Sequence, residues 1–121
     1  MQTLDLETTS YVLTSGAVTA TITSVPMAED TVGRIRCIIL ARSDTGYSST
    51  WFMDYAFEHD TGVSVLGIGT GTKSKMGSFN AANWDASVVA NGNYIDIKGT
   101  GDTGDVIKWS ISGQIHFYQH V

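Results

Sequence analysis

Residues 49–59 read STWFMDYAFEH, and this segment gives the clearest indication of the chain's architecture. Every second side chain shares one face of an extended strand. One face is therefore formed by Trp51, Met53, Tyr55 and Phe57, and the other by Phe52, Asp54, Ala56 and Glu58. This period of two predicts a β-strand. Because the second face also contains apolar residues, we expect both faces of the strand to be covered.

The same alternation recurs along most of the chain. It predicts further strands at residues 3–7, 18–23, 33–42, 63–68, 84–90, 93–99, 105–111 and 114–119. Val, Ile and Thr supply 35 residues against 14 Leu and Ala, a bias typical of pleated strands. Gly and Asx turns separate the segments, and Asn91-Gly92 is a strong hairpin signal. The predicted fold is all-β, an antiparallel two-sheet sandwich that is jelly-roll-like, with an immunoglobulin-like sandwich as the alternative.

The length of 121 residues is typical of one domain. We expect a single β-sandwich domain over residues 1–121, with residues 1–13 as a candidate N-terminal docking arm. Residues 1–7 lack the basic and apolar regions of a secretory signal. Residues 69–82 are rich in Gly, Ser, Thr and Lys, and they predict a surface loop with a short helix at 79–83.

Charge and cysteine content narrow the range of partners. The net charge of −5 argues against a nucleic-acid partner and against an anionic membrane surface. No apolar run approaches the ~20 residues of a membrane span, so we expect no membrane insertion. The single Cys37 excludes an intramolecular disulfide and a Cys-rich zinc site. We interpret it as a small, buried apolar residue.

The three histidines do not form an evident catalytic group. No Gly-x-Ser-x-Gly motif supplies a nucleophile for them. His59 stands beside Asp60, which would suit a general base, but we interpret it as an exposed turn histidine. His116 and His120 lie on one face of the last strand, roughly 13 Å apart, which is too far to share a metal ion.

The acidic residues are equally dispersed. Asp54 and Glu58 share a strand face at the same spacing of roughly 13 Å, too far apart for a glycosidase pair. Asp85 is expected to face Lys98 across a hairpin as an ion pair. Residues 99–105, GTGDTGD, lack the ligand pattern of a calcium loop, and the Gly-x-Gly-x-Gly run at 67–71 has no following helix. The sequence therefore predicts no catalytic residues, no metal site and no cofactor.

Aromatic residues supply candidates for the core and for the surface. Trp51, Trp84 and Trp109 lie within apolar alternation, which predicts structural core positions rather than a sugar-binding platform. The surface candidates are Tyr11, Tyr47, Tyr94 and Tyr118. Tyr47 stands in a Gly/Ser loop and is expected to be the most exposed. Tyr47 and Tyr94 are the candidate surface contacts.

The second half of the chain carries a distinctive series of strands and turns. It contains GIGTGTKS at 67–74, NWDASV at 83–88, NGNYIDIKGTG at 91–101 and VIKW at 106–109. A Trp-led strand, a tight turn, an Ile-x-Ile strand, a Thr-Gly turn and an Ile-x-Trp strand follow in this order. The series resembles a segment recurrent in bacteriophage structural proteins, at the ends of tail fibres and spikes and in head-decorating proteins. The resemblance covers residues 67–120 and contains no catalytic motif.

The resemblance implies a β-sandwich or jelly roll, usually homotrimeric, with a structural or receptor-binding role. We therefore expect a non-enzymatic virion protein that decorates or cements a capsid. The alternatives are the receptor-binding tip of a tail fibre or tail spike, a carbohydrate-binding module and, least favoured, a small hydrolase. Expected partners are two further copies of the chain and other capsid or tail proteins, with a host surface glycan for the receptor-binding alternative. A chain of this length has no room for a fibrous shaft, so we expect direct docking.

Overall fold

The computed structural model describes residues 2–7 and 11–119, and the described residues form nine β-strands. The strands are β1 (Gln2–Glu7), β2 (Val12–Ser15), β3 (Thr19–Pro26), β4 (Thr31–Ser43), β5 (Ser48–His59), β6 (Leu66–Phe79), β7 (Asp85–Asn91), β8 (Tyr94–Thr100) and β9 (Val106–Gln119). Within these residues the chain forms no helix long and apolar enough to cross a membrane.

The strands form two antiparallel sheets packed face to face, which confirms the predicted β-sandwich. The large sheet has the order β1-β9-β4-β5-β6, and β2 also pairs with β9; the small sheet has the order β3-β8-β7. Strand β2 is followed in the chain by β3, and β8 is followed by β9. The pairs β2–β9 and β3–β8 therefore form one long antiparallel ribbon that passes from the large sheet to the small sheet, as in a jelly roll. Strands β4, β5 and β6 instead form a simple meander within the large sheet.

Burial alternates regularly along the central strands. In β4 every second residue from Thr31 to Ser43 is buried, and the residues between them are exposed. In β5 the buried set includes Trp51, Met53 and Phe57, as the period of two predicts. The odd-numbered side chains of both strands therefore form the inner face of the large sheet, and the even-numbered ones form its outer face.

A cluster of three tryptophans fills the space between the sheets. Trp51, Trp84 and Trp109 are all buried. The rings of Trp51 and Trp109 stack with their centroids 5.6 Å apart, and the centroid of Trp84 lies 6.3 Å from that of Trp109. Trp109 donates its indole N–H to Thr14 Oγ1 at 2.8 Å, and Trp84 donates to Asp105 Oδ2 at 2.8 Å. The indole N–H groups of Trp84 and Trp109 thus each keep a hydrogen-bond partner.

Residues 69–82 form neither the expected loop nor the expected helix. Most of them belong to β6, which hydrogen-bonds to β5 with two register shifts. The helix prediction at 79–83 was wrong, because the Trp84 N–H and the Ala81 carbonyl close a turn there at 3.2 Å. Two further predicted segments, 105–111 and 114–119, are one strand, and the short β2 was not predicted.

Two lysines explain why such a polar segment is a strand. Lys73 Nζ donates to Asp85 Oδ1 at 2.9 Å and to the Ala86 carbonyl at 3.1 Å. Lys75 Nζ donates to the carbonyl oxygens of Ala81, Ala82 and Trp84 at 2.8, 3.2 and 3.0 Å. Both ammonium groups thus reach from β6 to the start of β7 and satisfy backbone carbonyls between the two sheets.

The hairpin β7–β8 corrects the predicted ion pair of Asp85. Asn91 pairs with Tyr94, so the two loop residues are Gly92, which has a φ of 59°, and Asn93. A glycine with positive φ at the first loop position is what a type II′ turn requires. The register then places Asp85 opposite Thr100, and the pairing with Lys98 was wrong. Asp85 forms its ion pair with Lys73 instead.

The first strand occupies part of the candidate docking arm. Gln2–Glu7 pairs with β9 in continuous register, from Gln2 opposite Phe117 to Glu7 opposite Ser112. Val12–Ser15 pairs with the beginning of the same strand. Residues 1 and 8–10 of the arm lie outside the described residues.

Candidate functional site on the outer face of the large sheet

The histidine that stood out in the sequence is buried. His59 ends β5 and is only 4% exposed, and its Nδ1–H donates to the Met27 carbonyl oxygen at 2.6 Å. The expectation of an exposed turn histidine was wrong, because position 59 shares the inner face with Trp51 and Phe57. His116 is half-buried and lies 3.1 Å from Thr3 Oγ1, whereas His120 lies outside the described residues.

The carboxylate in the middle of β5 is held in an ion pair. Arg34 donates to both oxygens of Asp54, at 2.9 and 2.7 Å, and Arg36 Nε lies 3.6 Å away. The hydrogen bonds from Arg34 keep the pKa of Asp54 below its ordinary value. Glu58 forms no ion pair with any described residue. Asp54 is therefore a fixed anion, and its partners among the described residues are the two arginines rather than a second carboxylate or a histidine.

The acidic turn at residues 99–105 holds protein donors. Asp102 accepts hydrogen bonds from the Asn83 amide at 3.0 Å and from the Thr103 N–H at 2.8 Å, and these bonds lower its pKa. Asp105 accepts the Trp84 indole N–H, and its own N–H closes a turn to the Asp102 carbonyl at 3.1 Å. Across the described part of the chain, no three His, Cys, Asp or Glu side chains are grouped as metal ligands would be.

The tyrosines differ from expectation at one position. Tyr47 is half-buried and packs edge-on against Phe79, with ring centroids 6.4 Å apart, so its expected exposure was wrong. Tyr11, Tyr94 and Tyr118 are exposed. Tyr94 lies on the outer face of the small sheet, opposite Pro26 and Asn91.

A cavity of about 470 Å³ lies where β1 and β9 extend past the end of β3. Its described lining is apolar, amide or hydroxyl, and includes Leu4, Pro26, Phe117 and Tyr118. No carboxylate, imidazole, ammonium or guanidinium is among these lining groups. The cavity therefore presents a shallow recess of mixed apolar and uncharged polar groups, and its described lining has no charged group to orient a substrate.

The outer face of the large sheet has an apolar centre, which we call the central patch and define as Ile38, Leu40 and Phe52. On one side Ile38 lies directly opposite Phe52 of β5, and on the other side it lies opposite Ser112 of β9. Ile38 and Leu40 are 41% and 47% exposed. Since the residues flanking Leu40 on β5 and β9 are Thr50 and Ser110, the patch is surrounded by short side chains.

At one end of this face, Arg42 and Lys108 form no ion pair with any described residue, and we call these two residues the cationic end. The two residues lie directly opposite each other in the β4–β9 pair, and both are exposed. Lys108 Nζ lies 4.5 Å from the centre of the Tyr11 ring. Local sequence patterns do not indicate this pair, because it depends on which distant strand lies beside β4.

The other end of the face carries negative charge, and we call Glu58, Asp60 and Asp30 the acidic end. These residues line one shallow depression together with Val32 and Tyr118. Glu58 lies opposite Val32, ten residues before Arg42 on β4, so the two ends are roughly 34 Å apart. Along β4 the face therefore runs from the acidic end, past the ion pairs of Arg34 and Arg36 with Asp54 and the central patch, to the cationic end.

No known protein family and no curated protein matches the sequence. Among solved structures, the chain is similar to the tailspike protein of Acinetobacter baumannii phage AM24, with 9% identity, a TM-score of 0.48 and coverage of 98% of this chain and 25% of that chain. It is also similar to tailspike protein gp49 of Acinetobacter baumannii bacteriophage Fri1, a capsular polysaccharide depolymerase, with 7% identity, a TM-score of 0.38 and coverage of 97% and 19%. The chain thus spans a quarter or less of these tailspike chains.

Proposed function

We propose that the protein is a non-enzymatic structural component of a bacteriophage particle, which decorates or cements the capsid as a homotrimer. The observation that carries this proposal is the central patch. Ile38 and Leu40 are exposed in the middle of a regular sheet, and Arg36 and Arg42 flank them on the same face of β4. An apolar centre within a polar rim is the usual anatomy of a protein–protein interface, and exposed apolar patches mark association sites.

The assignment to a phage particle is based on the strand-and-turn series at residues 67–120, which resembles phage structural proteins. The tailspike likenesses are too distant to add weight to it. The homotrimer is suggested by the same resemblance and by the outer face of β5, where Phe52 and Ala56 are only half-buried by their own chain. Other capsid or tail proteins would be the further partners.

Two observations support a role without catalysis. Asp54 is held by Arg34, and the Nδ1–H of His59 is held by a backbone carbonyl. Acid–base catalysis requires a group within hydrogen-bonding reach of the substrate at a suitable pKa, and neither residue offers this.

A receptor-binding domain of a tail fibre or spike is the second candidate, with a glycan-binding module as a related form. It is favoured by the exposed ring of Tyr94 on the outer face of the small sheet, which also carries the hydroxyls of Thr19, Thr21 and Thr100. The hydroxyls lie roughly 13–20 Å further along the strands from Tyr94, so this face suits an extended glycan rather than a single sugar. A glycan of the host surface would then be the partner.

Locating the chain in purified particles tests both candidates. Phage particles encoding the chain are separated on a density gradient into heads and tails, and the chain is located with gold-labelled antibody in the electron microscope. We expect label on the heads. Label confined to tail tips would favour the receptor-binding role, and recovery only as free protein would contradict a virion role. Sedimentation equilibrium of the purified chain should give three times its 13.0 kDa mass.

A further inference from the structure

The cationic end of the outer face is not neutralised by its own chain. Arg42 and Lys108 oppose each other in register, and no carboxylate among the described residues lies within 4.0 Å of either. Like charges directly opposite each other destabilise a sheet. The Tyr11 ring beside Lys108 offsets only part of this cost. The pair is therefore suited to an anionic group that comes from outside the chain.

The acidic end is its counterpart on the same face. Glu58 and Asp60 form no ion pair or hydrogen bond with any described side chain, and Asp30 accepts only the Thr61 hydroxyl, at 2.8 Å. The chain as a whole has a net charge of −5 and only seven Lys and Arg residues. Four of these cations lie on this face: Arg34, Arg36, Arg42 and Lys108. Arg34 and Arg36 pair with Asp54 beside the acidic end, so the charges of this face without an ion-pair partner among the described residues lie at its two opposite ends.

We propose that this face binds a second copy of the chain, with the cationic end of one copy on the acidic end of the next. The inference deepens the proposed self-association and rests on it. Charge complementarity within a single face identifies the occupant as another copy. Where two copies overlie with their strands antiparallel, the central patch lies between the two ends, and the contact then also covers Ile38 and Leu40. Packing in the parallel sense would place two cationic ends together, which is strongly disfavoured.

A contact between two different ends of one surface is head-to-tail. Such contacts close into a ring when the rotation between copies allows it, and three copies form the smallest ring beyond a dimer. A dimer uses the same contact twice, with the strands of the two sheets antiparallel. The positions of the two charged ends predict which residues are in contact in either assembly. The measured number of copies in the assembly distinguishes the ring from the dimer.

Charge reversal at each end tests the contact. The first variant combines Arg42→Glu with Lys108→Glu, and the second combines Glu58→Lys with Asp60→Lys. Each should weaken self-association in sedimentation velocity by about tenfold or more, because like charges then face each other. A chain carrying all four substitutions should associate as the unmodified chain does. Thr19→Glu with Thr21→Glu, on the outer face of the small sheet, is the control and should leave association unchanged.

An equal mixture of the two variants reports the symmetry. In the first variant both ends are acidic, and in the second both are basic, so only unlike chains can make contact. Two unlike chains can close a dimer, whereas a closed ring of three must join at least one pair of like ends. If the assembly is a trimer, the mixture therefore forms no closed trimers, while the chain with four substitutions does.

The outcomes separate this inference from the proposed function. An unmodified chain that is trimeric, with both reversal variants equally trimeric, overturns the head-to-tail contact alone. An unmodified chain that is monomeric at every concentration overturns both proposals. Circular dichroism establishes that each variant is folded. A milder variant, Arg42→Gln with Lys108→Gln, provides a second test. Raising NaCl from about 50 mM to about 500 mM should weaken self-association of the unmodified chain, and it should weaken that of this variant less, because the variant lacks the cationic end.

Discussion

The inner and outer faces of the large sheet are formed by the same strands, yet only one of them is covered by the chain itself. On β5, Trp51 and Met53 are buried under the small sheet, whereas Phe52 between them is half-buried on the outer side. On β4, Ile39 is inaccessible while Ile38 and Leu40 are exposed. Apolar character therefore does not show which face is internal. The small sheet has three strands and the large sheet six, and the small sheet can cover only one side.

The largest contrast between the faces is expected at Trp109. Trp109→Ala removes a fully buried ring that stacks on Trp51 and leaves Thr14 without its indole donor. The free energy of unfolding should fall by ~3–5 kcal/mol in urea titration. Tyr118→Ala, on the outer face, should change it by about 0.5 kcal/mol or less. A Trp109→Ala protein that melts within about 2 °C of the parent would contradict this view of the inner face.

A smaller effect is expected from adding one methyl group between the sheets. A Cβ at Gly99 would lie 2.5 Å from the Trp109 ring. Gly99→Ala should therefore reduce the free energy of unfolding by ~1–3 kcal/mol through overpacking. Gly77→Ala is the matched control, because its Cβ would meet nothing closer than Thr50 Oγ1 at 3.7 Å. Equal stability of the two variants would show that the tryptophan cluster has room to adjust.

The outer face of the small sheet contains a buried charge, which extends the comparison. Asp96 is 4% exposed and accepts hydrogen bonds from Ser24 at 2.6 Å and from Asn91 at 2.9 Å, and the bond from Ser24 lowers its pKa. A lowered pKa means that this stabilisation is complete well above the ordinary value of 3.8 and is lost as the pH falls through the folded-state pKa.

Ser24→Ala should therefore cost about 1 kcal/mol at neutral pH. The difference from the parent should shrink in acid, below pH 3.8, as measured by urea unfolding across the pH range. Thr21→Ala on the same strand is the control and should show no pH-dependent difference. A Ser24→Ala effect that is constant with pH would mean that the Asp96 charge does not contribute.

The smallest change in stability is expected at the central patch. Ile38→Thr with Leu40→Thr keeps strand propensity at one position and shortens both side chains, so the free energy of unfolding of the monomer should change by about 0.5 kcal/mol. Self-association, measured by light scattering against concentration, should nevertheless be lost. If the double variant associates as before, the outer face is not the interface. Thr50→Ser, beside the patch, should preserve association.

The sequence predicts the strands that alternate and misses those that do not. Residues 49–59 alternate clearly and form β5 as predicted. Residues 69–79 lack apolar alternation, since they form an edge strand whose inward positions are Lys73 and Lys75 rather than apolar residues. An edge strand packed on one partner only does not need an apolar face, so its composition resembles that of a loop.

Register and strand neighbours explain the remaining errors. The Asp85–Lys98 prediction failed because the hairpin loop is Gly92-Asn93 rather than Asn91-Gly92, which shifts every pairing by two residues. The cationic end could not be predicted because Arg42 and Lys108 meet only through the pairing of β4 with β9. Local patterns determine which side chains share a strand face, whereas long-range pairing determines which strands are adjacent.

The two lysines of β6 also bear on how the protein stays dispersed. The outer edge of β6 is not paired within the described structure, and a free edge is a template for uncontrolled strand addition and fibre growth. Lys73 and Lys75 place their ammonium groups under this edge, where they bond to Asp85 and to backbone carbonyls. A further strand added at this edge would have to pack beside two ammonium groups that are already hydrogen-bonded within the chain. The same two residues that hold the sandwich together at this side therefore also limit its aggregation at high local concentration.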